Sequence, residues 1–183
     1  MKPGRSLDHF TWHQDSTYSK LDGATVWLAF SEVKASTGPL LFRKSSHRFG
    51  QVPHVESEDE SNLLAFGQYI PESQNAWCSL PVVTAELQPG EASAHSFFTI
   101  HRSTSNEDSE DRVGLAIRIV AASSGLTRHD RVTRLSGNGT LHGFEEECPP
   151  ETEFGTKELH EWQSSMEREK AMYFESSLRS SYK

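Results

Sequence analysis

HRSTSNEDSEDRVGLAIRIV, residues 101–120, sets the frame for the rest of the chain. Its last part, Val113 to Val120, is apolar almost without interruption, the pattern of a buried strand. Its middle, Ser103 to Asp111, is short and acidic, a surface turn joining two strands. Its first residue, His101, closes another β-like run, Ala92 to Ile100, which follows the turn signal Pro89-Gly90. Working outward, Thr25 to Val33 (TVWLAFSEV), Leu40 to Phe42, Pro81 to Leu87 (PVVTAEL) and Arg131 to Leu135 read as further strands. Thr37-Gly38-Pro39 and Gly137-Asn138-Gly139 part them, and His54 to Asn62 is an acidic loop. Many short strands at this spacing predict a mainly β fold, either a sandwich or a double-sheet jelly roll.

The tail differs. After Pro149-Pro150, Lys157 to Leu178 is helical by composition, with Leu159, Trp162, Met166 and Tyr173 on one face. The expected organisation is a core over 1–150 and a carboxy-terminal helical segment over 151–183 packing on that core. A chain of 183 residues suits one domain. The net charge of −8 gives no general attraction to phosphate backbones, so nucleic acid is excluded as an expected partner. No apolar run approaches the roughly 20 residues that span a bilayer. The amino terminus, MKPGRSLDHF, carries no apolar signal segment, so a cytoplasmic location is expected. The two cysteines, Cys78 and Cys148, lack metal-type spacing and read as free thiols, with one disulfide as the alternative. Asn138-Gly139-Thr140 reads as a chance match to a glycosylation acceptor.

Chemistry enters with His13-Gln14-Asp15. Two imidazoles and one carboxylate can occupy one face of an octahedral iron(II) and leave the opposite face open. Alternate residues of a strand share a face, so His13 and Asp15 reach one ion while Gln14 points away. The second imidazole must come from a distant strand, and His101 stands at the end of one. His95 lies on the same strand face if that strand is regular, so it is the competing candidate. Arg112 follows, a planar two-pronged donor suited to a carboxylate.

The flanking residues carry a resemblance. Trp12-His13-Gln14-Asp15-Ser16-Thr17-Tyr18 resembles the signature stretch of the phytanoyl-CoA dioxygenase family of iron(II)/2-oxoglutarate oxygenases. Val26 to Phe30, Thr37-Gly38-Pro39-Leu40, Ser45-Ser46-His47-Arg48, Asn62-Leu63-Leu64 and Gly67-Gln68 resemble segments that follow it. His101-x-Ser103-x-x-Asn106 and Arg112 to Arg118 are similar to the distal histidine segment and the next strand. The match runs in order from about Lys2 to Val120. It implies a double-stranded β-helix (jelly roll, cupin-like) with His13, Asp15 and His101 as iron ligands. His101 ranks above His95 because it alone begins His-x-Ser. Arg112 matches the arginine that pairs with the distal carboxylate of 2-oxoglutarate, Ser103 a hydroxyl near it, and Trp27 an aromatic lining that pocket. Lys44 and Arg102 stand where the family has glycine, and Thr104-Ser105 where it has Gly-Pro. Arg102 is expected to add a positive charge near the substrate.

The activity so implied is a 2-oxoglutarate-dependent dioxygenase using Fe(II) and O2. It would hydroxylate a small organic substrate with release of succinate and carbon dioxide. The intact Asp15 carboxylate favours hydroxylation over halogenation. Few residues precede His-x-Asp compared with the family, so part of the usual amino-terminal domain is expected to be absent. Uncovered sheet edges would then favour self-association. The rival expectation is a truncated, non-catalytic jelly roll that binds metal or a partner without turnover. A metalloenzyme of cupin type, without 2-oxoglutarate, is opposed by Arg112 and Ser103.

Overall fold

Short strands, several rich in β-branched and aromatic residues, form within the first 120 positions. The computed structural model describes residues 1–19, 22–64, 68–72, 76–124 and 130–180. In it β1 is Phe10–His13, β2 Gly23–Ala29, β3 Leu40–Arg43 and β4 Val82–Ala85. β5 is Ala92–Ser96, β6 His101–Ser103 and β7 Gly114–Val120. A single helical turn, α1 (Ser16–Ser19), follows β1. These strands make two antiparallel sheets, ordered β1-β6-β3-β4 and β5-β2-β7. The fold is mainly β, a jelly roll.

Two compact units divide the chain, Met1–Val120 and Ala121–Lys183. The second holds a short parallel pair, β8 (Asp130–Val132) and β9 (Phe144–Glu146), and the long helix α2 (Thr156–Ser180). Leu159, Trp162 and Met166 of α2 are exposed. The Tyr173 side chain and Gly67 lie outside the described residues. No described helix is long and apolar enough to cross a membrane. Cys78 and Cys148 are both free.

Three strands depart from their sequence reading. The run Ala92 to Ile100 is not one strand. β5 stops at Ser96, whose carbonyl accepts from the Thr99 amide at 2.8 Å and whose hydroxyl accepts from the Phe98 amide at 3.2 Å. Phe97 and Ile100 are fully buried around this turn. His95 and His101 therefore sit on different sheets, not on one strand face. Second, β7 is not buried: Leu115, Ile117 and Ile119 are exposed, and among the described residues β7 pairs with β2 alone at the edge of its sheet. Third, β2 ends at Ala29; the amides of Phe30 and Ser31 turn to the Val113 carbonyl, and Val33 makes a separate bridge with Leu87.

The apolar core lies on the four-stranded sheet. Trp12, Ile70, Trp77 and Ile100 pack together, with Leu41, Val52, Cys78 and Leu80 against them. Trp12 and Leu41 alternate with His13 and Phe42, so this cluster covers one face of the sheet and leaves the other face for the histidines. The same core anchors β1 and β6. Trp77 is 2% exposed and meets the Trp12 ring edge-on at 6.1 Å between centroids. Trp77→Ala should cost about 3–5 kcal/mol of unfolding free energy, the range for a buried aromatic cut to alanine. Urea unfolding would measure it, and a loss below about 1 kcal/mol would show that the site collapses to fill the space.

Candidate metal centre

A bulge in β1 aims the first ligand. Phe10 pairs with Ser103 and His13 with His101, so β1 spends one residue more than β6 between the two pairs. A bulge of this kind re-aims side chains beside functional sites. Here it puts His13 directly opposite His101, on the sheet face away from Trp12, with ring centroids 4.1 Å apart. Asp15 lies just past the strand, in the turn before α1. Strand alternation therefore does not carry His13 and Asp15 together, as the sequence suggested; the turn does.

Gln14 fixes that turn from behind. Its side-chain amide donates to the carbonyls of Gly50 and Phe98, each at 2.7 Å, and its oxygen accepts from the Val52 amide at 2.9 Å. Its backbone N–H donates to His54 Nε2 at 3.1 Å, while His54 Nδ1 faces the Val52 carbonyl at 3.0 Å. Ser16 continues the anchor, its hydroxyl donating to Gln51 at 2.6 Å.

Each histidine meets a backbone carbonyl two residues upstream. His13 Nδ1 lies 2.8 Å from the Thr11 carbonyl, and His101 Nδ1 lies 2.9 Å from that of Thr99. A carbonyl only accepts, so both Nδ1 atoms carry the proton and both Nε2 lone pairs are free for a metal. The ligand atoms of His13, Asp15 and His101 all lie within 4.8 Å of one another. All three residues are buried. The structure thus brings together the three residues the sequence singled out, and their donor set fits iron(II).

The second sheet holds the carboxylate. Thr25 pairs with His95 across β2 and β5, so the two side chains share a face. Thr25 Oγ1 donates to Asp15 Oδ2 at 2.5 Å, and His95 Nε2 lies 3.6 Å from the same oxygen. Oδ1 is left facing His101 Nε2 at 4.0 Å. His95 stacks between Phe42 and His101, at 4.8 and 4.5 Å between ring centroids. Sequence reasoning missed Thr25, which looks like any strand threonine, and put His95 on one strand face with His101, where the structure places them on separate strands.

Electrostatics match the ligand role. Burial lowers His13 and, more strongly, His101 below the ordinary imidazole range, so both are neutral near pH 7. Burial alone would raise the Asp15 carboxyl. The neighbouring His95, His101 and His13 and the Thr25 hydroxyl outweigh it and hold Asp15 below the usual carboxylate range. Neutral imidazoles beside an ionised carboxylate are the protonation states a divalent metal requires.

Arg112 and Trp27 lie together, while the Ser103 hydroxyl accepts from Lys2 Nζ at 2.9 Å. Arg112 is buried, its guanidinium carbon 5.0 Å from the Trp27 ring centre, and its Nη1 donates to the Gly38 carbonyl at 2.6 Å. Gly114 lets Trp27 lie flat: a Cβ there would come within 2.2 Å of the indole. Arg102 does not join this group. Its guanidinium stacks on the opposite face of the sheet, 4.8 Å from the Trp12 ring centre. There it lines a cavity of about 490 Å³ with Trp12, Tyr69 and Glu72, whose walls do not include the metal-ligand cluster. Residue 102 alternates with His101 and Ser103, which puts the Arg102 guanidinium on the face opposite the histidines, although Ser103 also lines that cavity.

A jelly roll with two histidines and an aspartate converging between its sheets belongs to the double-stranded β-helix class, and its triad is compatible with a bound metal. The chain is a member of the phytanoyl-CoA dioxygenase family, whose model matches residues 1–114. Among solved structures, the non-heme monooxygenase ThoJ in its apo form is 22% identical at a TM-score of 0.78, covering 97% of this chain and 65% of that one. EvdO2 from Micromonospora carbonacea var. aurantiaca, complexed with 2-oxoglutarate, is 24% identical at 0.51, covering 67% of this chain and 51% of that one. EctD from S. alaskensis, with 2-oxoglutarate and 5-hydroxyectoine, is 17% identical at 0.54, covering 80% and 52%. The chain thus spans less than two thirds of the length of each. No curated protein matches it.

Two outcomes follow from this geometry. Asp15→Ala or His101→Ala should abolish tight divalent-metal binding while leaving the circular dichroism spectrum intact, since the core lies on the other sheet face. His95→Ala should weaken metal binding less; equal loss in a metal titration would make His95 a ligand. The second concerns acid. Burial lowers His54 from 6.5 to about 4. The unfolded chain then binds a proton that the folded chain refuses, so this stability is present above pH 6.5 and is lost as pH falls toward about 4. Urea midpoints of metal-free protein should fall across that window, and His54→Gln should flatten the fall.

Proposed function

We propose that the protein is an iron(II)/2-oxoglutarate-dependent oxygenase that hydroxylates a small organic substrate. One observation carries this reading. A buried His-Asp-His set has both Nε2 atoms free, and the buried Arg112, stacked on Trp27, has no acidic partner among the described residues. His13, Asp15 and His101 would hold the metal. Arg112, with Ser103 and Trp27, would hold the distal carboxylate of 2-oxoglutarate. When bound, iron with 2-oxoglutarate and oxygen supplies oxidative decarboxylation to succinate and carbon dioxide, coupled to hydroxylation of a substrate carbon.

The chain's own residues do the positioning. Thr25 and His95 hold Asp15 Oδ2, which directs Oδ1 toward the metal position. The carbonyls of Thr11 and Thr99 hold the two imidazoles as Nδ1–H tautomers. Phe42 packs against both His95 and His101, with ring centroids at 4.8 and 5.9 Å. Arg112 is lowered by burial to about 10 and is still charged at neutral pH. Fully desolvated, its charge attracts a carboxylate far more strongly than an exposed arginine would.

Anaerobic titration of iron(II) and then 2-oxoglutarate tests the reading without knowledge of the substrate. A weak visible charge-transfer band should appear only with both present. Succinate should form when oxygen is admitted; no band and no succinate would remove the reading. Arg112→Lys keeps the charge and loses the two-pronged donor. It should weaken 2-oxoglutarate by about 1.5–3 kcal/mol, the range for a hydrogen bond to a charged group. Iron binding without 2-oxoglutarate should barely change, and an unaltered 2-oxoglutarate affinity would take Arg112 out of the site.

A further inference from the structure

We propose that Lys2 is a second cationic anchor for the distal carboxylate of the 2-oxo dicarboxylate, working beside Arg112 and through the Ser103 hydroxyl. This rests on the co-substrate reading above and adds a residue to it. Lys2 is 1% exposed, as deeply buried as any side chain of the core, and Arg112 is 7% exposed. Burying one unpaired cation is costly, and burying two side by side costs more. Among the described residues no carboxylate lies within ion-pair distance of either. A fold that keeps two such charges is matched to an anion that arrives from outside.

The backbone places them together. The Lys2 amide donates to the Arg112 carbonyl at 2.8 Å and the Arg112 amide to the Lys2 carbonyl at 2.9 Å, one antiparallel bridge. Directly opposed residues of such a pair share a face. Both side chains reach the same turn: Arg112 donates to the Gly38 carbonyl, and the Lys2 stem lies 3.1 Å from where a Gly38 Cβ would be.

The donors are arranged to receive. Lys2 Nζ donates to Ser103 Oγ at 2.9 Å and to the Thr104 carbonyl. An ammonium has three protons, so one remains. With its oxygen occupied by Lys2, the Ser103 hydroxyl directs its own proton elsewhere, toward an acceptor. Arg112 Nε is buried without a partner. Ser103 stands two residues beyond His101 on β6, on the same face as that ligand. A ligand with a metal-binding group at one end and a carboxylate at the other spans from His101 to Ser103, Lys2 and Arg112.

Lys2 could instead be only a staple holding the amino-terminal segment to β6. Calorimetry on the full chain loaded with Mn(II) separates the two roles, with 2-oxoglutarate and 2-oxobutyrate as probes. The second probe keeps the 2-oxo acid and lacks the distal carboxylate. Lys2→Met keeps the stem and removes the charge. It should weaken 2-oxoglutarate about tenfold or more, leave 2-oxobutyrate unchanged, and leave the ligand-free melting temperature near wild type. Lys2→Arg should restore most of the loss. Equal weakening of both probes, or unaltered 2-oxoglutarate binding, overturns the proposal and leaves Arg112 as the anchor. Should Lys2→Met not fold, Lys2→Gln decides on the same comparison. A wild-type chain that binds neither probe overturns the co-substrate reading itself.

Discussion

Two imidazoles serve as metal ligands only when each keeps one nitrogen unprotonated, and here two backbone carbonyls enforce that. The Thr11 and Thr99 carbonyls each claim an Nδ1–H, which leaves the Nε2 lone pairs pointing into the space between the sheets. Everything around the site serves that arrangement. The bulge in β1 brings His13 opposite His101. Gln14 ties the following turn down with three hydrogen bonds, so that Asp15 arrives at the same place. Burial then keeps the imidazoles neutral, while neighbouring donors keep the carboxylate ionised.

The two sheets divide the work. The four-stranded sheet supplies both histidines on one face and rests its other face on the Trp12–Trp77 core. The three-stranded sheet supplies Thr25 and His95, which hold the carboxylate oxygen that does not face His101. Trp27 extends the same inner face toward Arg112. Both histidines and the Thr11 carbonyl thus belong to the core-backed sheet, while the groups that hold the Asp15 carboxylate come from the other. Ring contacts through Phe42 and His95 join the two.

Charge is distributed with similar economy. The chain carries a net −8, yet two buried cations, Lys2 and Arg112, have no acidic partner within ion-pair distance among the described residues. Its exposed basic residues behave differently: Lys34 lies 2.9 Å from Asp108, and Arg134 grips Glu146 with two donors at 2.9 and 3.0 Å. Surface pairs of this kind contribute little. Burying a cation without an acidic partner is costly.

The chain by itself determined the fold class, most strand positions, and the residues with chemistry to offer. Those follow from local properties: β-branched runs, turn residues, and His-x-Asp with a distant His-x-Ser and an arginine. His13, Asp15, His101 and Arg112 stood out in that way, and Ser103 through the family resemblance. Only the tertiary structure decided which of them meet and what orients them. The turn at Phe97 split a run that reads as one strand, and so sent His95 and His101 to different sheets. β7 reads as buried and is an exposed edge, because apolar content cannot say what lies beside a strand. Lys2, Thr25 and Gln14 look ordinary in the sequence, since a side chain's role there depends on partners 10 to 101 positions away. Pairing across such separations is set by strand register and burial, which no local pattern encodes.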